Sequence, residues 1–149
     1  MISDNILITF EMFHYMKNSR GGGGHMALKL DMAKAYDRVE WVFLRRVLFT
    51  MGFDGGWVYN VMRCVESVSF KVLINGSPSD VFVPERGIRQ EDPLSPYLFI
   101  ICAEFLSSLI CRRVEAGMLH GIQIAPQAPV ISHLFFADDS IIFMKANEN

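Results

Sequence analysis

The sequence has no excess of basic residues and no cysteine spacing typical of a metal site, and both absences reduce the range of functions to consider. Lysine and arginine total 14 against 16 aspartates and glutamates, which gives a net charge of −2. A nucleic-acid-binding protein normally carries a basic surface, so this balance counts mildly against that class. The three cysteines and four histidines show no metal-ligand spacing, so reduced thiols and an intracellular location, nucleus or cytoplasm, are expected.

Signals for membrane insertion, secretion and phosphate binding are also absent. No basic stretch followed by an apolar one opens the chain, so the protein is not expected to be secreted. Residues 94–111 are mostly apolar but include Pro96 and Glu104, which favours a buried core helix over a membrane span. The four glycines at 21–24 have no Gly-Lys-Ser/Thr after them and predict a flexible connector.

The chain does have a high apolar content and the length of one domain. Of its 149 residues, 51% are hydrophobic and 20% are charged. This length is enough to form a core. Such a composition also predicts that part of the surface contacts other protein.

The succession of patterns predicts an α+β fold, with helices packed on an antiparallel sheet. Helical spacing predicts helices at about 3–18, 39–52, 55–65 and 94–115. Alternation predicts a strand from Met26 to Asp31 whose buried face carries Met26, Leu28 and Leu30. Asn75-Gly76 predicts a hairpin joining strands at 69–74 and 80–83, and a short strand is expected at 121–125.

Three aspartates lie where predicted strands end. Asp31 ends the first strand, and Asp138 and Asp139 lie in LFFADDSIIF (134–143), where apolar runs flank a polar break. This pattern predicts a tight hairpin with both carboxylates at its tip. An isolated aspartate pair would be a solvated turn, because adjacent like charges need water or a cation beside them. If the first strand pairs with the hairpin, Asp31 and Asp138 can share divalent cations, and carboxylate oxygens suit Mg²⁺.

Three motifs follow one another along the chain: MALKLDMAKAYDRVEW (26–41), GIRQEDPLSPYLF (87–99) and HLFFADDSIIF (133–143). Together they resemble the reverse transcriptases of non-LTR (LINE-type) retrotransposons, especially those of plants. The resemblance implies a partial reverse transcriptase domain over 1–149, with an N-terminal helix and glycine loop in 1–25. A polymerase palm core would occupy 26–149, with the thumb and most of the fingers missing.

The resemblance also implies an activity and the residues that perform it. The activity is that of an RNA-directed DNA polymerase, which transfers the nucleotidyl group of a dNTP onto a primer 3′-hydroxyl on an RNA template and releases pyrophosphate, with Mg²⁺ or alternatively Mn²⁺. Three aspartates match the catalytic, metal-binding residues of the palm: Asp31, Asp138 and Asp139. Tyr36 matches the aromatic residue that excludes a ribose 2′-hydroxyl. Arg89 and Gln90 match the loop that contacts the incoming nucleotide and the template.

Each assignment has a structural alternative. Asp31 could cap the following helix, Tyr36 could be a half-buried aromatic residue, and Arg89 could form a solvated ion pair with Glu85 or Glu91. The whole chain could instead be a non-catalytic α+β interaction module or a domesticated remnant. Its apolar surface would then bind another protein, or the thumb and fingers segments. A maturase-like RNA-binding remnant is a third alternative, which the missing basic stripe disfavours.

One position departs from the family pattern. The loop of the family reads RQGDPLSP, and Glu91 stands where that glycine is expected. Glycine serves where a backbone approaches a ligand or takes a positive φ, whereas glutamate adds a Cβ atom and a negative charge. That charge would repel a triphosphate, so weakened nucleotide binding is expected. With the missing segments, this predicts a retrotransposon remnant, or a partial gene model, that does not polymerise alone.

Overall fold

The structure is a computed structural model that describes residues 2–19, 24–136 and 139–146. These ranges contain four α-helices: α1 (Ile2–Asn18), α2 (Trp41–Thr50), α3 (Gly55–Glu66) and α4 (Ser95–Glu115). They also contain five strands: β1 (Gly24–Asp31), β2 (Leu73–Ile74), β3 (Ser77–Pro78), β4 (His133–Phe136) and β5 (Asp139–Ala146). The predicted α+β class is confirmed. The chain forms two compact units, residues 1–33 with 106–149 and residues 34–105.

The first unit is built on a three-stranded antiparallel sheet in the order β1-β5-β4. Strands β4 and β5 form the predicted hairpin, in which Phe136 pairs with Asp139. Asp139 therefore belongs to β5 and not to the tip, where it was expected. Ser140 is buried, with 1% of its surface exposed. Asp138 lies outside the described residues, as do residues 20–23 of the predicted glycine connector.

Helix α1 covers one face of this sheet. Met12 of α1 is buried in a cluster with Phe143 and Ile141 of β5, and Ala27 of β1 packs against that cluster. Ala27 stands directly opposite Phe143, so the two side chains share a face. The predicted burial of β1 is wrong, because its large apolar side chains are the exposed ones, at 40–44%: Met26, Leu28 and Leu30. Burial follows the position of α1, which covers the face that carries the small Ala27 side chain.

The second unit has its own apolar cluster, formed by α2, α3 and the first turns of α4. Its most buried members are Leu44, Leu48, Val58, Met62 and Leu98. Asp54 caps α3 because its carboxylate accepts hydrogen bonds from the backbone N–H groups of Gly56 and Trp57, at 2.9 and 3.1 Å. Helix α2 begins at Trp41, two residues after the predicted start, since a 3₁₀ turn occupies Tyr36–Arg38.

Strands outside the main sheet are shorter than predicted. The Asn75-Gly76 turn is confirmed, with φ of 50° and 84°, but β2 and β3 pair over two residues each. The position predicted for the second strand, 80–83, is wrong, because β3 occupies Ser77–Pro78. A single bridge, Phe70 with Phe82, continues that ladder. Both strands are exposed, so no packed layer supports a longer ladder. The strand expected at 121–125 is one bridge between Ile122 and Ile131.

Helix α4 begins and ends close to the predicted residues. The Asp92 carboxylate accepts a hydrogen bond from the Leu94 backbone N–H at 2.8 Å, and the Asp92 carbonyl accepts one from Ser95 at 3.1 Å. Gly117, with φ of 69°, follows its last turn. In the described part of the chain, no helix is long and apolar enough to cross a membrane.

Candidate active site

Asp31 and Asp139 face each other across two neighbouring strands. Asp31 is the last residue of β1, Asp139 is the first residue of β5, and the antiparallel register pairs them directly. Directly opposed side chains project from the same face of a sheet, with Cβ atoms about 5 Å apart. The structure therefore brings together two of the three aspartates proposed from the motifs. The third, Asp138, lies outside the described residues.

Lys29 lies beside this carboxylate pair. Its Nζ atom is 2.9 Å from Oδ2 of Asp139, and the two side chains are 62% and 36% exposed. Because side chains alternate along a strand, Lys29 and Asp31 project from the same face of β1. The three motifs indicate no role for Lys29, although the alternation of side chains along the predicted strand already places it on the same face as Asp31.

The donor set fits a hard divalent cation. Mg²⁺ in proteins is commonly held by one or two carboxylates, with water or phosphate oxygens completing its coordination. Asp31 and Asp139 supply two such carboxylates at a solvent-accessible strand end. Among the described residues no group of three or more His, Cys, Asp or Glu residues could hold a metal ion. A third carboxylate would have to come from outside the described ranges, where Asp138 lies.

Asp31 does not cap the following helix, which was the structural alternative to its role as a metal ligand. The helical segments that follow it, the 3₁₀ turn and α2, have Ala35 and Glu40 at their N-cap positions. Neither segment has a side-chain cap. The capping interpretation of Asp31 is therefore wrong.

In the second unit (residues 34–105), the loop that begins the second motif at Gly87 is hydrogen-bonded to the segment around the 3₁₀ turn of the first motif, Tyr36–Arg38. The backbone N–H of Gly87 donates to the Val39 carbonyl at 2.8 Å, and that of Ile88 donates to the Tyr36 carbonyl at 2.9 Å. The Trp41 indole Nε1–H donates to the Gly87 carbonyl at 2.8 Å. These three bonds fix the loop relative to the turn. Trp41 is thus a hydrogen-bond donor to this loop.

Gly87 is required at its position for two reasons. Its φ of 93° lies in the left-handed region that favours glycine. A Cβ atom built there would lie 3.0–3.2 Å from the backbone O, Cα and C atoms of Asp37. Close approach of the two backbones therefore depends on this glycine.

The predicted substrate-side residues lie near this junction. The Tyr36 ring is half-buried and stacks on the Phe99 ring, with centroids 4.9 Å apart and planes 13° apart. Gln90 Nε2 lies 3.5 Å from Asp37 Oδ1, at the long limit of a hydrogen bond. Arg89 forms no ion pair with any described residue, so the structural alternative in which it pairs with Glu85 or Glu91 is wrong.

A cavity of about 520 Å³ opens beside this loop. Arg89, Gln90, Glu91 and Asp37 contribute to its lining, together with apolar side chains such as Leu98. Glu91 is exposed, and it is not among the described non-glycine residues with positive φ, which are Lys34 and Asn75. Backbone conformation therefore does not require glycine at Glu91. The arguments that remain against this residue are its negative charge and the Cβ atom that would limit a close approach to a ligand.

The family model for reverse transcriptase (RNA-dependent DNA polymerase) matches residues 3–149. This chain belongs to the reverse transcriptase family. Members of this family in general use a divalent metal and bind nucleic acid as template and primer. The resemblance inferred from the three motifs is confirmed.

Relatives of this reverse transcriptase domain include retrotransposon proteins. It is 54% identical over 68 residues to an uncharacterized mitochondrial protein of Arabidopsis thaliana, over 46% of this chain and 56% of that protein. It is 29% identical over 131 residues to a Pol polyprotein of the type-1 retrotransposable element R2 of Popillia japonica, over 87% of this chain and 20% of that protein. For the type-2 element R2DM of Drosophila melanogaster, identity is 31% over 114 residues, covering 76% of this chain and 10% of that protein. The chain thus spans about half, or much less, of these relatives.

Proposed function

We propose that this domain is part of an RNA-directed DNA polymerase, which transfers the nucleotidyl group of a dNTP onto a primer 3′-hydroxyl and releases pyrophosphate. The observation that carries the proposal is the register that pairs Asp31 with Asp139, in a chain of the reverse transcriptase family. Asp31, Asp138 and Asp139 are the proposed metal ligands. Mg²⁺ is the proposed ion because carboxylate and phosphate oxygens are its preferred ligands, and Mn²⁺ is the alternative.

The carboxylates at the strand ends would hold the metal ions, which in turn would position the reacting groups. The chemistry that a pair of bound Mg²⁺ ions supplies is a lowered pKa of the primer hydroxyl and neutralisation of charge on the leaving pyrophosphate. Asp31 and Asp139 belong to adjacent, hydrogen-bonded strands, so the ladder limits their separation. Such fixed geometry favours an in-line displacement, because the reacting groups need no reorganisation.

The substrate side of the proposal rests on Tyr36, Arg89 and Gln90. The Tyr36 ring is held by its stack on Phe99, so it can act as a fixed steric barrier to a 2′-hydroxyl. Arg89 has no ion pair within the described ranges, which leaves its guanidinium group available for a phosphate. Gln90 lines the same cavity as Arg89 and can donate its amide to a nucleotide. RNA template, DNA primer and dNTP are therefore the proposed partners.

Direct metal binding is the first test, because it needs no other segment of a polymerase. Mn²⁺ binding to the folded chain is measured by electron paramagnetic resonance for wild type, Asp31→Asn and Asp139→Asn. We expect each variant to bind Mn²⁺ at least about tenfold more weakly, because one of the two described carboxylates is replaced by a neutral amide. Asp80→Asn, an exposed aspartate of the other unit, is the matched control. Unchanged affinity in both site variants would refute the proposed metal site.

Primer extension is the second test. An RNA template, a DNA primer, dNTPs and Mg²⁺ or Mn²⁺ are incubated with the chain, after circular dichroism has shown that it is folded. Extension that Asp31→Asn abolishes and Asp80→Asn retains supports the polymerase and overturns the expectation that this chain does not polymerise alone. Extension that survives Asp31→Asn would come from a contaminant and would count against it.

A non-catalytic interaction module is the second candidate. The observation that favours it is the exposed apolar hairpin around β2 and β3, where Leu73 is 72% exposed and Ile74 is 62% exposed. Patches of this kind commonly mark protein contacts. Light scattering of wild type and Leu73→Ser tests this candidate. A monodisperse monomer in both would argue against it, whereas association that is lost in the variant would support it.

A further inference from the structure

The ion pair of Lys29 lies inside the proposed metal site. The Asp139 carboxylate faces Asp31, and its Oδ2 atom is 2.9 Å from the Lys29 ammonium. The direct cross-strand partner of Lys29 is Ile141, so the lysine reaches diagonally along the sheet face toward Asp139. A built-in cation thus stands next to an oxygen that a metal would use.

This position gives Lys29 two electrostatic effects. Two carboxylates whose Cβ atoms lie about 5 Å apart repel each other, and an ammonium group beside them offsets that repulsion. The same positive charge repels any divalent cation that approaches the pair. Lys29 therefore stabilises the strand ends without metal and opposes metal binding at the same place.

We propose that Lys29 is a positioning residue that acts as the counter-cation of the carboxylate pair and sets its divalent-metal affinity. This inference rests on the proposed function, since it takes Asp31 and Asp139 as metal ligands. A divalent ion competes with the Lys29 ammonium for Asp139. Lysine suits this role because its charge sits on a flexible four-carbon stem that can swing away. Its 62% exposure leaves room for that movement.

The experiment compares charge removal at Lys29 with the same change elsewhere on the sheet. Mn²⁺ dissociation constants are measured at low salt for wild type, Lys29→Met and Lys29→Arg. Lys145→Met is the matched control because Lys145 is exposed on β5, six residues or about 20 Å from Asp139 along the strand. We expect Lys29→Met to bind Mn²⁺ about three- to tenfold more tightly, with Lys29→Arg and Lys145→Met close to wild type.

Thermal unfolding tests the other effect of Lys29, which is to stabilise the strand ends when no metal is bound. Without divalent ions, Lys29→Met should melt below wild type, because the carboxylates lose their counter-cation. The same high Mg²⁺ concentration should raise its melting temperature more than that of wild type, since a ligand that binds only the folded state stabilises it more when its dissociation constant is lower. Lys29→Gln is measured beside it and should behave in the same way. Equal Mg²⁺ shifts in wild type and both variants would overturn the inference.

The outcomes separate this inference from the proposed function. If Asp31→Asn and Asp139→Asn bind Mn²⁺ as wild type does, the metal site itself is refuted. If they lose binding while Lys29→Met keeps the wild-type affinity, the role of Lys29 alone is overturned. Equal gains in Lys29→Met and Lys145→Met would also overturn it, because net charge and not position would then explain the effect.

Discussion

Replacement of Gly87 by alanine should loosen the contact between the first two motifs. An alanine there would have to adopt a φ of 93°, which L-residues with a Cβ atom disfavour. Its Cβ atom would also lie 3.0–3.2 Å from three backbone atoms of Asp37. Backbone atoms cannot rotate away as a flexible side chain can, so the loop itself must shift.

The expected cost follows from these two effects. The positive φ alone costs about 1–2 kcal/mol for an alanine. Overpacking against a fixed backbone typically adds about 1–3 kcal/mol. The shift also strains the 2.8 Å bonds that join Gly87 to Val39 and Trp41. We therefore expect Gly87→Ala to lower the free energy of unfolding by about 2–5 kcal/mol.

Urea denaturation, followed by circular dichroism, measures this loss. Gly52→Ala is the matched control, because Gly52 has a φ of 86° in the same unit, but a Cβ atom added to it would have no atom within 4 Å. Gly52→Ala should cost about 1–2 kcal/mol, which is the backbone contribution alone. An equal loss of stability in Gly87→Ala and Gly52→Ala would refute the close approach to Asp37.

Three further predictions concern individual side chains. Ser140 Oγ is buried without a hydrogen-bond partner in the described structure, so Ser140→Ala should raise the free energy of unfolding by about 1 kcal/mol; a loss would contradict this. Burial raises the pKa of the Cys102 thiol from 9.0 to about 11, so at pH 8 its alkylation should be about 100-fold slower than that of an ordinary thiol. Mass spectrometry should find the exposed Cys64 and Cys111 modified first, and early labelling of Cys102 would refute its burial. Glu91→Gly and Glu91→Gln should both tighten dNTP binding, measured by calorimetry, if charge is the obstacle; no gain in either would sink that idea.

The elements predicted most accurately are those whose signals are local. Asp92 accepts a hydrogen bond from a nearby backbone N–H group at the start of α4, and Asn75-Gly76 forms its turn. Capping and turn formation involve residues within a few positions of each other, so the sequence carries the necessary information. The three motifs were recognised for the same reason, since each is a continuous stretch of chain.

The sequence by itself therefore determined the family, the order of the main helices and strands, and which aspartates are candidate metal ligands. Tertiary structure decided which face of β1 is buried, because alternation gives two faces and only the position of α1 selects the one with Ala27. It also decided the pairing of Asp31 with Asp139 and the approach of Lys29, since strand register is set between segments more than a hundred residues apart. Contacts of that kind depend on how the chain packs, and no local pattern encodes them.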